Sequence, residues 1–263
     1  MIIKILKFLL IIPALVCGCS GDGGGLTIKN GILTVGVEIG YPPMEYLAQD
    51  GITPAGFDIS LAQAIAENMG LKVQFVDTAW EGILAGVNSR KYDCVISSVT
   101  ILPERLEKYN FSRPYIKTSL ALVMITGSVH NVNTLHDIDG FKIACQEATT
   151  SGYYLNQLKQ EGLKIASYEY DKVIYCFEEL RLGRVDAVMT DLLVACEYLA
   201  RSDIYKIVWQ GSEEIFGICM KKGNSALTEK INAALEELFN NGTMLRLSRE
   251  NFYGADYVSP VWK

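Results

Sequence analysis

Residues 94–105, CVISSVTILPER, set three hydroxyls, Ser97, Ser98 and Thr100, at the end of an apolar run and follow them with Arg105. A planar guanidinium takes a carboxylate through two parallel charge-assisted bonds, and hydroxyls beside it add donors and acceptors. Arg105 is therefore a candidate anchor for an anionic group; its other reading is a surface arginine at a helix start. Asp191 closes GRVDAVMTD, where a carboxylate after an apolar strand can accept from an ammonium group or cap the next helix. Glu38, after ILTVGV, is either a pocket acid or a solvated loop acid. Tyr41 and Trp80 are either core aromatics or platforms for a flat or cationic group, the latter worth about 0.5–2 kcal/mol.

Other chemistries find little support. His130 and His136 lie in the polar stretch GSVHNVNTLHD without a cysteine or acid at metal-ligand spacing, which reads as a surface loop. No specific phosphate loop and no catalytic motif appears, so neither cofactor nor metal is expected. The cysteines 94, 145, 176, 196 and 219 are scattered through apolar runs and read as buried thiols rather than a disulfide frame.

Strand and helix patterns alternate along the chain and can bring these residues together. ILTVGVEI, LKVQFVD and YDCVISS read as strands, separated by GFDISLAQAIAENMG and WEGILAGVNSRK as helices. A second set repeats the order: FKIACQ, KIASYEY and VDAVMTD as strands, SGYYLNQLKQEG and VIYCFEELRLGR as helices. This is a parallel α/β pattern in two similar lobes. YIKTSLALVMIT and IFGICMKK are extended runs that would cross between the lobes, and amphipathic helices follow from LTEKINAALEELF onward. Ligands of open parallel sheets sit beyond the carboxyl ends of the strands. Glu38, Tyr41, Trp80, Ser97, Ser98 and Thr100 lie at such ends in one lobe, and Gln146, Glu147, Thr149 and Asp191 in the other. All can face one cleft, and two crossings make a hinge.

The first residues, MIIKILKFLLIIPALVCGC, place Lys4 and Lys7 before an apolar run too short for the roughly 20 residues that span a bilayer. They read as an export signal, followed by the flexible tether SGDGGG. Loss of Lys4 and Lys7 from 24 cations set against 30 acids leaves a mature charge of −8. That balance argues against nucleic acid and anionic lipid as main partners.

Taken in order, LTVGVEIGYPPMEY, GFDISLAQAIAENMGLKV, YDCVISSVTILPER, FSRPY, LRLGRVDAVMTD and INAALEELFNNG resemble the family 3 periplasmic solute-binding proteins of ABC importers. VCGC resembles a lipoprotein lipobox with Cys19 as the acylated residue, although Cys17 is an unusual neighbour. The resemblance implies a type II periplasmic-binding-protein fold, two α/β lobes joined by two crossover strands. It divides the chain into a signal peptide (1–18), a lipidated tether (19–26), lobe I (27–116 plus 218–263) and lobe II (121–213), with hinge strands near 117–120 and 214–217. It implies a monomeric lipoprotein facing the periplasm or cell exterior, held to the membrane by its lipid alone. Such a protein captures a free amino acid and delivers it to a membrane permease with a cytoplasmic ATPase. Arg105 with the backbone amides of Thr100 and Thr149 would hold the α-carboxylate. Asp191, the Thr100 hydroxyl and the Ser98 carbonyl would take the α-ammonium. Glu38, Tyr41, Trp80, Ser97, Cys145 and Thr150 would read the side chain, and the acid at position 38 suggests a basic amino acid: histidine, arginine, lysine or ornithine.

Three departures from the family pattern stand out: Leu102 where a capping threonine is common, Glu147 where a glycine is common, and Cys145 beside the cleft. An enzyme similar to periplasmic cyclohexadienyl dehydratases is the alternative, with Glu38 or Glu147 as general acid. A sensor module that docks on a signalling partner is a third.

Overall fold

The computed structural model describes residues 25–258. The expected signal peptide and the Cys19 lipidation site lie outside the described residues. The first sheet has the order β4 (Lys72–Asp77), β1 (Ile32–Val37), β5 (Cys94–Val95), β12 (Cys219–Lys221), β6 (Tyr109–Phe111). Its strands β4, β1 and β5 are parallel, and β12 runs antiparallel between β5 and β6. The second sheet has the order β11 (Tyr205–Phe216), β7 (Ile116–Ile125), β10 (Ala187–Asp191), β8 (Lys142–Gln146), β9 (Ala166–Tyr170). A two-stranded hairpin, β2 (Tyr46–Leu47) with β3 (Pro54–Ala55), stands apart from both.

Helices α1 (Phe57–Asn68), α2 (Trp80–Asn88), α7 (Ser225–Asn240) and α8 (Thr243–Asn251) belong to the first lobe. The second lobe carries α4 (Thr150–Gln160), α5 (Val173–Arg181) and α6 (Leu192–Arg201), while the short α3 (Pro103–Lys108) follows the hydroxyl run. The spacing of Ile59, Ala62, Ile65 and Ala66 buries one face of α1 as expected, and the helix stops before Gly70 at φ +68°. Gly36 and Gly86 let the Tyr92 ring lie against β1 and α2. A β-carbon at Gly86 would sit 2.1 Å from the Tyr92 hydroxyl, and one at Gly36 would sit 2.6 Å from its ring.

Several elements differ from the sequence expectation. YDCVISS forms only two ladder residues, Cys94 and Val95, because the chain then turns into the cleft with Ser98 at φ +49°. IFGICMKK is not one strand: β11 reaches back to Tyr205 and ends at Phe216, and β12 begins at Cys219. Strand β6 and the β2–β3 hairpin have no counterpart in the sequence expectation, and helix α6 entered it only as the helix that Asp191 would cap. Strands β7 and β11 are long neighbours, paired antiparallel from Ile116 opposite Phe216 to Ile125 opposite Tyr205. Their near ends also bond to the first lobe, where Ile101 N–H donates to Ile215 O at 2.8 Å and Gly217 N–H to Val99 O at 3.0 Å.

Candidate functional site: a closed cleft between two sheets

The carboxyl ends of both sheets face one another, and a buried cavity lies between them. Glu38, Tyr41, Glu45, Trp80, Ser97, Ser98, Thr100 and Arg105 line it from one side, Gln146, Thr149, Thr150 and Asp191 from the other. Ten of the eleven expected binding residues therefore meet at one place. Cys145 does not. Along β8 side chains alternate, so Gln146 faces the cavity while Cys145 joins Ile143, Leu155 and Met189 in the second lobe's core. Burial pushes its thiol up to about 12, so it is an inert packing group. Glu147 also lies outside this cavity, in a separate outer depression with Glu81, Tyr153 and Glu169.

Arg105 is buried on α3 rather than exposed at a helix start. Its Nη1 donates to Thr100 O at 3.0 Å, and its guanidinium carbon lies 5.7 Å from the Trp80 ring centre. Leu102 supplies no side-chain cap to α3, and Pro103 opens that helix in its place. Among the described residues this desolvated guanidinium has no ion-paired carboxylate, an arrangement that can take an anion.

Asp191 occupies the N-cap position of α6, yet its side chain makes no cap bond. It accepts instead from Tyr41 Oη at 2.7 Å, across the cleft. Burial raises its pKa, opposed by the neighbouring Glu214 carboxyl, by the Tyr41 hydrogen bond and by the charge of Arg105. Glu38 is 3 % exposed. Burial pushes its pKa up to about 7, while Gln146 and Lys172 pull the other way. Gln146 Nε2 meets both Glu38 oxygens, at 2.8 and 2.9 Å, and Asp171 O at 3.0 Å. Two further bonds cross the cleft: Trp80 Nε1 donates to Ala148 O at 3.0 Å, and Lys172 Nζ to Ile39 O at 2.9 Å. The lobes are thus closed on each other.

The hydroxyl run does more than line the wall. Ser97 Oγ donates to Glu45 Oε1 at 2.6 Å and accepts from Glu38 N–H at 3.1 Å. Ser98 N–H donates to Asp58 Oδ2 at 2.7 Å, which fixes a loop held at positive φ. Glu45 and Asp58 form a buried acid pair whose carboxyls are raised by burial, Asp58 to about 7. Sequence reasoning passed over Glu45 and placed Gln146 only at the cleft. The signal for Glu45 was a lone acid in the turn YPPMEY, beside two prolines and ahead of a helix that begins with an acid. Among the described residues no cluster of histidine, cysteine or acids could hold a metal ion.

A deep cleft between two α/β lobes joined by paired crossing strands defines a type II periplasmic binding protein. Residues 33–254 match the family described as bacterial extracellular solute-binding proteins, family 3, and the chain belongs to that family. It is 33% identical over 230 residues to the L-cystine-binding protein TcyJ of Escherichia coli (strain K12), covering 87% of this chain and 85% of that one. Among solved structures it is similar to an ancestral arginine-binding protein bound to arginine, with 37% identity and a TM-score of 0.80, covering 85% and 99% of the two chains. It is also similar to the ancestral amino acid-binding protein AncCDT-1, a precursor of cyclohexadienyl dehydratase, with 32% identity and a TM-score of 0.78 over 84% and 96%. Among the described residues no helix is long and apolar enough to cross a membrane.

Proposed function

We propose that this chain is the amino-acid-binding component of an ABC importer and that its ligand is a basic amino acid, with L-arginine as the leading candidate. The observation that carries the reading is Glu38: a deeply buried acid in the cavity wall whose only described side-chain hydrogen-bond partner is the neutral Gln146 amide. A cationic side chain would supply the missing charge. Arg105 would take the α-carboxylate, with the backbone amides of Thr100 and Thr149, and Asp191 the α-ammonium together with the Thr100 hydroxyl and the Ser98 carbonyl. Tyr41, Trp80, Ser97 and Thr150 would complete the walls. Every charge of the bound zwitterion then has a partner, which burial demands.

The reading extends to the rest of the molecule. Residues near 117–120 and 214–217 serve as the hinge between a lobe I of residues 27–116 with 218–263 and a lobe II of residues 121–213. Acylation at Cys19 would anchor a monomer outside the cytoplasmic membrane, where the closed form meets its permease.

A second reading is L-cystine, favoured by the resemblance to TcyJ and by Lys172, which lies close enough to Glu38 to lower its pKa. The far end of cystine is itself a zwitterion, and Glu38 with Lys172 would offer one charge of each sign. Calorimetric titration of refolded protein with L-arginine, L-lysine, L-histidine, L-ornithine and L-cystine tests both. Binding of basic ligands with loss in Glu38→Gln supports the first reading. Binding of cystine, weakened in Lys172→Ala, replaces it. Binding of none, with turnover of prephenate, would turn the reading to an enzyme.

A further inference from the structure

Glu214 does not line the cavity, yet it is among the most buried of the described acids, 2 % exposed. It sits on β11 directly opposite Thr118 of β7, in the stretch where both crossing strands leave the first lobe. Two strands away in the same sheet, Asp191 stands opposite Leu120 of β7. The two carboxyl groups lie within interaction range of each other, and Glu214 within range of Thr150 of the cavity wall. Glu214 Oε2 has no hydrogen-bond partner among the described residues, and the Thr118 hydroxyl is likewise unpartnered. Carboxylates have no hydrogen to donate, so two that face each other bond directly only when one carries a proton.

The charged and titratable groups around the pair are few. Tyr41 reaches Asp191 from the first lobe, Arg105 acts on both acids from α3, and hydroxyls of Thr150 and Thr190 approach from α4 and β10. Among the described residues Arg105 is the cation that acts on both acids, near enough to favour ionisation without forming an ion pair with them. Burial and mutual repulsion act in the other direction on Glu214.

We propose that Glu214 is a positioning residue for Asp191: the two share one proton while the cleft is empty, and the ammonium group of the ligand drives that proton out to solvent as it takes its place. The step moves one proton and no electrons: the ligand keeps its three N–H bonds, one O–H bond of the acid pair breaks, and the released proton goes to buffer. It rests on the amino-acid reading above for the identity of the incoming cation, but the shared proton itself does not. The consequence is a ligand affinity that rises with pH over the range where the empty pair holds its proton, and ligands whose nitrogen is acylated, hence uncharged, gain nothing from the site.

Two measurements decide it. Carboxyl-carbon NMR of the wild-type protein without ligand should find Glu214 still protonated at neutral pH, and its titration should move to lower pH when L-arginine is added. Calorimetry with L-arginine in buffers of different ionisation enthalpy should then count released protons in wild type and in Glu214→Gln, whose amide mimics the protonated acid. Wild type should release up to one proton more than the variant, and its affinity should rise up to tenfold per pH unit more steeply. Glu38 titrates in both proteins and cancels from that difference. Equal proton release in the two proteins overturns the proposal, as does a Glu214 that ionises in the ordinary carboxylate range without ligand. If L-arginine fails to bind, the amino-acid reading falls, while the ligand-free NMR titration still decides whether the proton is shared.

Discussion

Gln146 of the second lobe offers a single side-chain nitrogen to both carboxylate oxygens of Glu38 of the first, at 2.8 and 2.9 Å. A neutral amide holding a buried acid from across a cleft is a weak substitute for a cation. Burial outweighs that bond, so Glu38 binds its proton more tightly in the folded protein than in the unfolded chain.

The sign of the pH effect follows from that shift. With a folded pKa of about 7 against an ordinary 4.5, Glu38 contributes stability below about pH 4.5 that is lost as pH rises through about 7. The full loss is about 3 kcal/mol. Asp58, raised to about 7 by burial, titrates over an overlapping window, so the comparison must be with Glu38→Gln. Thermal melts of the ligand-free protein should decline more steeply with pH in wild type than in this variant. Parallel declines would show that Glu38 is solvated when the cleft is empty.

Arg105 should not tolerate replacement by lysine. A lysine ammonium cannot reproduce a planar fork that bonds Thr100 O and stacks toward Trp80. Arg105→Lys is expected to weaken ligand binding by about 2–5 kcal/mol, read by calorimetry, with circular dichroism unchanged. A change smaller than tenfold would remove Arg105 from the carboxylate site.

Trp80 ties closure to its indole nitrogen. Trp80→Phe keeps an aromatic face but deletes the bond to Ala148 O, at a cost of about 1 kcal/mol. The closed-to-open ratio should fall about fivefold, visible as a larger radius of gyration in solution scattering at subsaturating ligand. A variant as compact as wild type would show that this bond does not hold the lobes together.

Gly56 tests the scaffold rather than the site. It holds φ +114°, and a β-carbon there would lie 2.3 Å from Met44 O. Gly56→Ala should destabilise by at least about 2 kcal/mol, lowering the melting midpoint by several degrees, because backbone must move in the turn that carries Glu45. An unchanged midpoint would mean that this turn relaxes freely.

Much of the fold was legible because its helices have one apolar face and its strands are short apolar runs bounded by turns. Helix α6 was legible only as the helix Asp191 would cap, since LLVACEYLAR follows the strand without a break. At the site, residue type and strand end were enough to gather ten side chains. What failed was phase. Cys145 and Gln146 are neighbours on one strand, and only the sheet's alternation decides which of them meets the cleft. Glu214 was passed over for a related reason: residue type does not distinguish the two consecutive acids of GSEEIF, yet along the strand Glu213 is exposed in an ion pair with Lys117 while Glu214 is buried.

Strands β7 and β11 are hydrogen-bonded to each other along their length, so the two crossings form a ribbon rather than two independent strings. A ribbon bends about one axis far more easily than it shears or twists. The lobes are then left with essentially a single coordinate of motion, like covers on a spine. Cross-cleft bonds at Glu38, Tyr41 and Trp80 must be made and broken along that same coordinate. A molecule built this way counts its ligand as either held or not held, and a permease reading its shape receives a binary message.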